Sequence, residues 1–360
     1  MAAKKRIQYI DTIKAVAILA VIFIHVSLLW LGKSVWGVSF DSIAEIGRFA
    51  VPLFLMVSGA LLLNREYELS SFFKRRISRI VYPYILWIIP LLIFVFAIKS
   101  FRFPNQTWLW LFNHYFFGRW YFWMILGIYC TIPVINEFIK SKGMEGVKYF
   151  LILAIIASLF YQFCKAVGLV TYLDLRFFVG PLTYMVLGYY VNNKEFDMPA
   201  NKILTISLLL FIATTALKMG FDVIGYGYTH LNFNNPVILL ESNLDVNILG
   251  YIRAGALFVF IKYLYSENLN CVYSSIKRVL EFNPIRRFIL SVAKASYGIY
   301  LVHDLFLNYL MVFVLPTLVL SEESLFGLIF IITPVLLIIS WLIVLVVNRI
   351  PGLSKWSGYE

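Results

Sequence analysis

Charge is what this chain has least of. Only 14% of its 360 residues are Asp, Glu, Lys or Arg, 61% are hydrophobic, and the mean hydropathy is +0.83. A soluble domain carries about a quarter charged residues. The excess apolar surface therefore needs lipid as its solvent, and a soluble globular class is excluded. Cysteine is nearly absent as well. Cys130, Cys164 and Cys271 form an odd, sparse set in apolar surroundings, which argues against a disulfide framework and against a thiolate metal site. The four histidines (His25, His114, His230, His303) fall on different segments, so no zinc cluster and no metal are expected. There is no Walker loop and no GxSxG elbow. No internal repeat points to an inverted-repeat transporter, and no low-complexity linker divides the chain. The first apolar run is too long for a signal-peptide core and lacks a small-residue cleavage site, so it is expected to remain as the first span. Residues 1–360 are thus expected to form a single membrane domain with no fused soluble domain.

Basic residues are the one charged class in excess, giving a net charge of +12. They cluster between the apolar runs, which is the pattern of membrane topology rather than of nucleic-acid binding. Runs long enough to cross a bilayer begin near Ile10, Ile46, Ile80, Trp120, Val147, Phe177, Ile203, Val246, Ser296 and Leu325. The expected fold is an all-α, polytopic bundle of about ten transmembrane helices. With a cytoplasmic N-terminus, 21 Lys and Arg residues fall on the inner side and 9 on the outer, with Lys14 inside the first span. Both termini are therefore expected in the cytoplasm of a multi-pass cell-membrane protein.

Two outer connections are long. The stretch from Lys99 to Arg119 is rich in aromatic residues, and that from Gly220 to Asn247 mixes tyrosines with amides and carboxylates. Such surfaces suit a sugar, through stacking and hydroxyl hydrogen bonds, and equally suit an interfacial aromatic belt.

Five places carry charge that the bilayer does not explain. Lys14 and His25 lie eleven residues apart in the first span, which is about three full turns and about 16 Å, so they share one helix face. Lys14 can snorkel or pair with Asp11, whereas His25 is too deep to snorkel. It is either a neutral imidazole hydrogen-bonded between helices or, as the default hypothesis for an intramembrane ionisable group, functional. Arg76 and Arg79, three apart at the inner mouth of span three, can clamp a phosphate or serve as topology signals. His303 and Asp304 sit near mid-bilayer in SYGIYLVHDLFLNYL, and Arg253 lies about as deep in GYIRAGALF. An unpartnered charge at that depth costs several kcal/mol. Arg253 and Asp304 are therefore expected to pair between helices.

Taken in order, these segments resemble the acyltransferase-3 family of integral membrane acyltransferases, which O-acylate surface glycans and other extracytoplasmic acceptors. That family opens with an arginine followed eleven residues later by a histidine. Here the frame reads KAVAILAVIFIH, Lys14 to His25. RFAVPLFLMVSGALLL, Arg48 to Leu63, resembles the family's second span, and Arg76 with Arg79 matches its Arg-x-x-Arg entry to the third. WYFWMILGIYCTIPVI, from Trp120, and SYGIYLVH, Ser296 to His303, resemble two further segments. The sequence departs from the pattern at Lys14, which keeps the charge but loses the planar fork of arginine, and at Asp304, where the family often has proline.

The resemblance implies an O-acetyltransferase-like enzyme of the bacterial polysaccharide O-acetyl or O-succinyl branch. It would move an acyl group, on this reading acetyl, from cytoplasmic acyl-CoA to a hydroxyl of an extracytoplasmic glycan, with no permanently bound cofactor. Catalytic roles are expected for His25 (base or transient acyl carrier), Lys14 and His303. Donor binding is expected at Arg76 and Arg79, and supporting roles at Arg253, Asp304, Ser296, Tyr297 and Trp120. A secondary transporter or glycan flippase using the buried charges as a proton relay is the alternative, and a membrane sensor domain a third reading.

Overall fold

A computed structural model describes residues 6–167, 169, 172–223, 247–317 and 320–360. The polar stretch with Tyr226, Tyr228, His230, Asn232, Asn234, Asn235, Glu241 and Asp245 lies outside them, as does Val246.

Within a bilayer every backbone N–H and C=O must be satisfied inside its own segment, which leaves long apolar runs no alternative to helix. The described chain is accordingly helical apart from a two-residue β-ladder pairing Ser34–Val35 with Val38–Ser39. Ten main helices are described. They are α1 (Gln8–Ser27), α2 (Ala50–Leu62), α3 (Leu69–Ala97), α4 (Trp120–Ala166), α5 (Pro181–Asn193), α6 (Ala200–Val223), α7 (Ile248–Tyr263), α8 (Cys271–Glu281), α9 (Asn283–Tyr309) and α10 (Glu322–Arg349). Against the ten spans expected, seven helical stretches among the described residues, on α1, α2, α3, α4, α6, α9 and α10, are long and apolar enough to cross a membrane. The chain is an all-α polytopic helix bundle.

Local chemistry sets the breaks. The 47 residues of α4 are two helices joined at Gly143, whose φ of 58° and ψ of −146° no helix contains. The runs expected from Trp120 and from Val147 are its two halves. Proline opens α5 and α9, where a missing N–H costs nothing. Asn247, Asn270 and Ser321 cap α7, α8 and α10 through their side chains.

The first helix sits at the centre, packed against α2, α7, α9 and α10. Glu360 lies at the end of the bundle where α1 begins, 3.1 Å from Lys14. The segment after α10 turns back between α3 and α9, with Ser357 fully buried. Its carbonyl accepts from Trp87 Nε1 at 3.1 Å, the Gly298 amide donates to Gly358 at 3.3 Å, and the Glu360 amide donates to Lys294 at 2.9 Å. Gly358 takes a φ of +81° directly against Gly298, an approach that leaves no room for a Cβ on either residue.

Candidate active site

Because α1 is central, its Lys14–His25 face looks into the bundle. A cavity of about 480 Å³ opens beside it, between α1, α2, α3, α4 and α9. That volume is in the range of small-molecule sites. Its open end is ionic, being lined by Arg6, Asp11, Lys14, Arg65, Arg76, Arg79 and Glu360. Its inner walls are Val21, Val51, Phe54, Ile125 and the rings of Tyr121, Tyr129, Tyr297 and Tyr300, with Ser296. Lys14, Arg76, Arg79, Ser296 and Tyr297, all singled out from sequence, thus come together on one cavity. Trp120 does not line it and packs edge-on against Tyr121, ring centroids 6.2 Å apart.

The mouth has more cations than carboxylates. Asp11 lies 3.0 Å from Arg6, not on Lys14, and Glu360 lies 3.1 Å from Lys14. Arg65, Arg76 and Arg79 have no carboxylate within salt-bridge distance among the described residues, so three guanidiniums remain to face an anion. Glu360 is half exposed, and the Lys14 ammonium holds its carboxyl below the usual range.

His25 and His303 do not line the cavity and lie beyond its inner end. Val21 lines the wall and His25 lies one turn further along the same face of α1. Tyr300 lines the same end, with its ring centroid 5.9 Å from that of His303. His25 Nδ1 and His303 Nε2 are 2.7 Å apart, with the rings tilted by only 3°.

The proton arrangement of this pair follows from one carbonyl. His303 Nδ1 is 3.1 Å from the Ile299 carbonyl, which can only accept. In the neutral pair Nδ1 of His303 therefore carries the hydrogen and its Nε2 a lone pair. His25 Nδ1 must then donate to that lone pair, which leaves the basic lone pair of His25 on Nε2. His303 is 1% exposed, whereas His25 is partly accessible. The accessible imidazole is thus the one whose free nitrogen is a base.

Asp304 does not meet Arg253. It pairs with Arg119, and Asn308 Nδ2 donates to the same carboxylate at 3.2 Å and to the Asp304 carbonyl at 2.8 Å. Tyr115 OH donates to Asn308 Oδ1 at 3.2 Å, tying the aromatic segment before α4 to α9. Arg253 is fully buried in a separate cluster. Its Nη1 donates to the Glu45 carbonyl at 2.9 Å and lies 3.6 Å from the Glu45 carboxylate. Lys218 is 3.4 Å from that carboxylate, and Arg48 bridges Glu45 and Asp41. The expected Arg253–Asp304 pair is therefore replaced by two pairs. Depth along the membrane normal is readable from sequence, but helix α7 packs on α5 and α6, which turns Arg253 away from Asp304.

Sequence reasoning missed several of these groups. Arg119, Glu45 and Lys218 sit near expected span ends, where a charge needs no partner. Tyr300 lay in view inside SYGIYLVH, while nothing in the sequence marks Glu360. The described residues hold no group of three or more metal-ligating side chains.

No curated protein and no solved structure matches the chain significantly. A family model does: the acyltransferase domain of the acyltransferase-3 family matches residues 7–345, nearly the whole length. A membrane bundle whose central helix lines an internal cavity with Lys14 and carries His25 one turn beyond it is in keeping with that match, and the chain belongs to the acyltransferase-3 family of membrane acyltransferases.

Proposed function

We propose that this protein transfers an acyl group, acetyl being the simplest, from acyl-CoA to a hydroxyl of an extracytoplasmic glycan, with His25 as the general base. The observation that carries the reading is the cavity itself, cationic at one end and lined at the other by Val21 and Tyr300, beyond which the His25–His303 pair lies. On this reading the mouth and both chain ends face the cytoplasm of the cell membrane, as the inner bias of Lys and Arg suggests.

The phosphates of the donor are held by Arg65, Arg76 and Arg79, with Lys14 beside them. Guanidiniums suit phosphate because their paired N–H donors match two oxygens. The thioester then reaches inward toward Tyr300 and the histidines. Nε2 of His25 removes the proton of the acceptor hydroxyl as its oxygen attacks the thioester carbonyl. The C–S bond breaks, the ester forms, and the leaving thiolate takes the proton back from His25. During that cycle His303 receives the Nδ1–H of His25, which keeps Nε2 aimed at the reaction. Tyr115, Asn308 and the ring of Trp110 stacked on His114 support a sugar surface at the opposite end.

The test uses the whole protein reconstituted in nanodiscs, with radiolabelled acetyl-CoA and a glycan fraction. His25→Ala should keep its thermal midpoint and its donor affinity while losing transfer. Near-normal transfer by that variant removes His25 from the chemistry. Acceptor movement across the bilayer without acylation supports the transporter reading instead.

A further inference from the structure

Helix α8 has three kinds of side. Tyr273 and Leu280 face the protein, with Tyr273 packed on Leu204 and Leu264 and its hydroxyl 2.9 Å from Thr205 Oγ1 on α6. Ser274, Arg278 and Glu281 form a polar side, with Arg278 and Glu281 exposed and Ser274 partly so. Between them lies a third side that nothing among the described residues covers. Val272, Ile276 and Val279 are 61%, 40% and 56% exposed. At about 100° per residue they fall within an arc of about 60°. Phe282, which follows, is 60% exposed, and Arg286 and Arg287 are exposed on the next turn.

A helix that needs protein on one side, an apolar medium on the second and water on the third is satisfied at the boundary of a bilayer. Its position in the bundle agrees. It joins α7 to α9, both of which run into the core, and its contact with Thr205 lies in the second turn of α6. Tyr265, just before it, is 2.6 Å from Thr12 on α1, which places α8 at the end where the cationic cavity opens. The flanking charges are mostly cationic. Lys277 (whose Nζ also donates to the Ser266 carbonyl at 2.9 Å), Arg278, Arg286 and Arg287 stand against Glu281 and, before the helix, Glu267.

We infer that α8 is an in-plane anchor, with Val272, Ile276, Val279 and Phe282 in the acyl-chain boundary and its four cations on anionic lipid headgroups. Charge complementarity selects this occupant. An apolar protein partner would gain nothing from the cations at its rim, whereas an anionic leaflet attracts each of them. Helix α9 carries Tyr297, Tyr300 and His303, so the anchor also sets the depth of the element that supports the histidine pair.

The experiment uses the full chain in nanodiscs, with Cys130, Cys164 and Cys271 replaced by serine. An environment-sensitive dye is placed singly on Val272→Cys, Ile276→Cys and Val279→Cys, and on Ser274→Cys, Arg278→Cys and Glu281→Cys. Lipids brominated on the acyl chain should quench the first three at least about twofold more than the second three, following the helical period. In bilayers of phosphatidylglycerol with phosphatidylcholine the thermal midpoint should exceed that in phosphatidylcholine alone. Combined Lys277→Gln, Arg278→Gln, Arg286→Gln and Arg287→Gln should shrink that difference. Equal, water-like emission at all six positions overturns the anchor. So does a blue-shifted but unquenched apolar triplet that cross-links to a second copy. An unchanged lipid dependence in the fourfold variant overturns the headgroup contact.

Discussion

The cationic mouth makes an unusually directional prediction, because a carboxylate of the chain already occupies part of it. Arg76 and Arg79 line the cavity with no carboxylate partner among the described residues, and Lys14 is engaged by Glu360 at 3.1 Å. A charge-assisted hydrogen bond contributes about 1.5–3 kcal/mol. At about 1.4 kcal/mol per decade, Arg76→Ala or Arg79→Ala should weaken acyl-CoA affinity about tenfold to 150-fold. Lysine at either position should restore only part of the loss, since a point charge lacks the fork. Glu360→Gln should move affinity the other way, because it frees the Lys14 ammonium for the same anion. That contact is half exposed and correspondingly weak, at about 0.2–1 kcal/mol, so the gain should be no more than about fivefold. The assay is calorimetric titration of acetyl-CoA against reconstituted protein whose insertion has been checked. The pH dependence has a set sign. Glu360 is held below the usual carboxylate range, so its contact with Lys14 is fully present above about pH 4.5. It is lost only as pH falls through the depressed value. The Glu360→Gln effect should therefore be flat between about pH 6 and 8. Unchanged affinity in both arginine variants would place the donor elsewhere, and weaker binding by Glu360→Gln would refute the competition between carboxylate and donor.

Four further outcomes are expected. His303→Ala should lower kcat by about a hundredfold or more with little change in donor affinity, since it removes the acceptor that fixes the His25 tautomer; equal kcat would make the 2.7 Å contact incidental. In thermal or denaturant unfolding, Glu45→Gln should destabilise by about 3–5 kcal/mol, because it strips the carboxylate from a buried cluster of Arg48, Lys218 and Arg253. A double-mutant cycle between Glu45 and Arg253 should show coupling of about 0.5–3 kcal/mol, whereas one between Arg253 and Asp304 should be additive. Gly298→Val, which pushes a side chain into the docked Ser357–Gly358 segment, should release the tail and reproduce the donor affinity of Glu360→Gln.

The helical bundle was legible because the bilayer leaves so few options. Long apolar runs must be helices, and the expected runs meet described helices, including the two that join at Gly143. Those from Phe177 and Val246, however, meet only the short α5 and α7, which are not among the seven stretches long and apolar enough to span. Much of the candidate site was legible too. Lys14, Arg76, Arg79, Ser296 and Tyr297 line the cavity, and His25 and His303, 278 residues apart, meet at 2.7 Å. Each had been marked by a polar or motif-borne position in a segment with little other reason for it.

What the amino-acid order determined by itself was a one-dimensional property, the depth of each charge and the face of the helix that bears it. Lys14 and His25 share a face because eleven residues make about three turns, whatever the rest of the chain does. Partnership is a different matter, since it depends on which helices adjoin and how each is rotated, and those are set by packing summed over the whole bundle. Arg253 and Asp304 have similar depth, yet one turns to Glu45 and the other to Arg119. Glu360 reaches Lys14 only because the segment after α10 folds back onto α3 and α9, at a point where Gly298 and Gly358 let two backbones touch. The tertiary structure alone decided which charges meet, because a buried charge constrains the presence of a partner and not its identity.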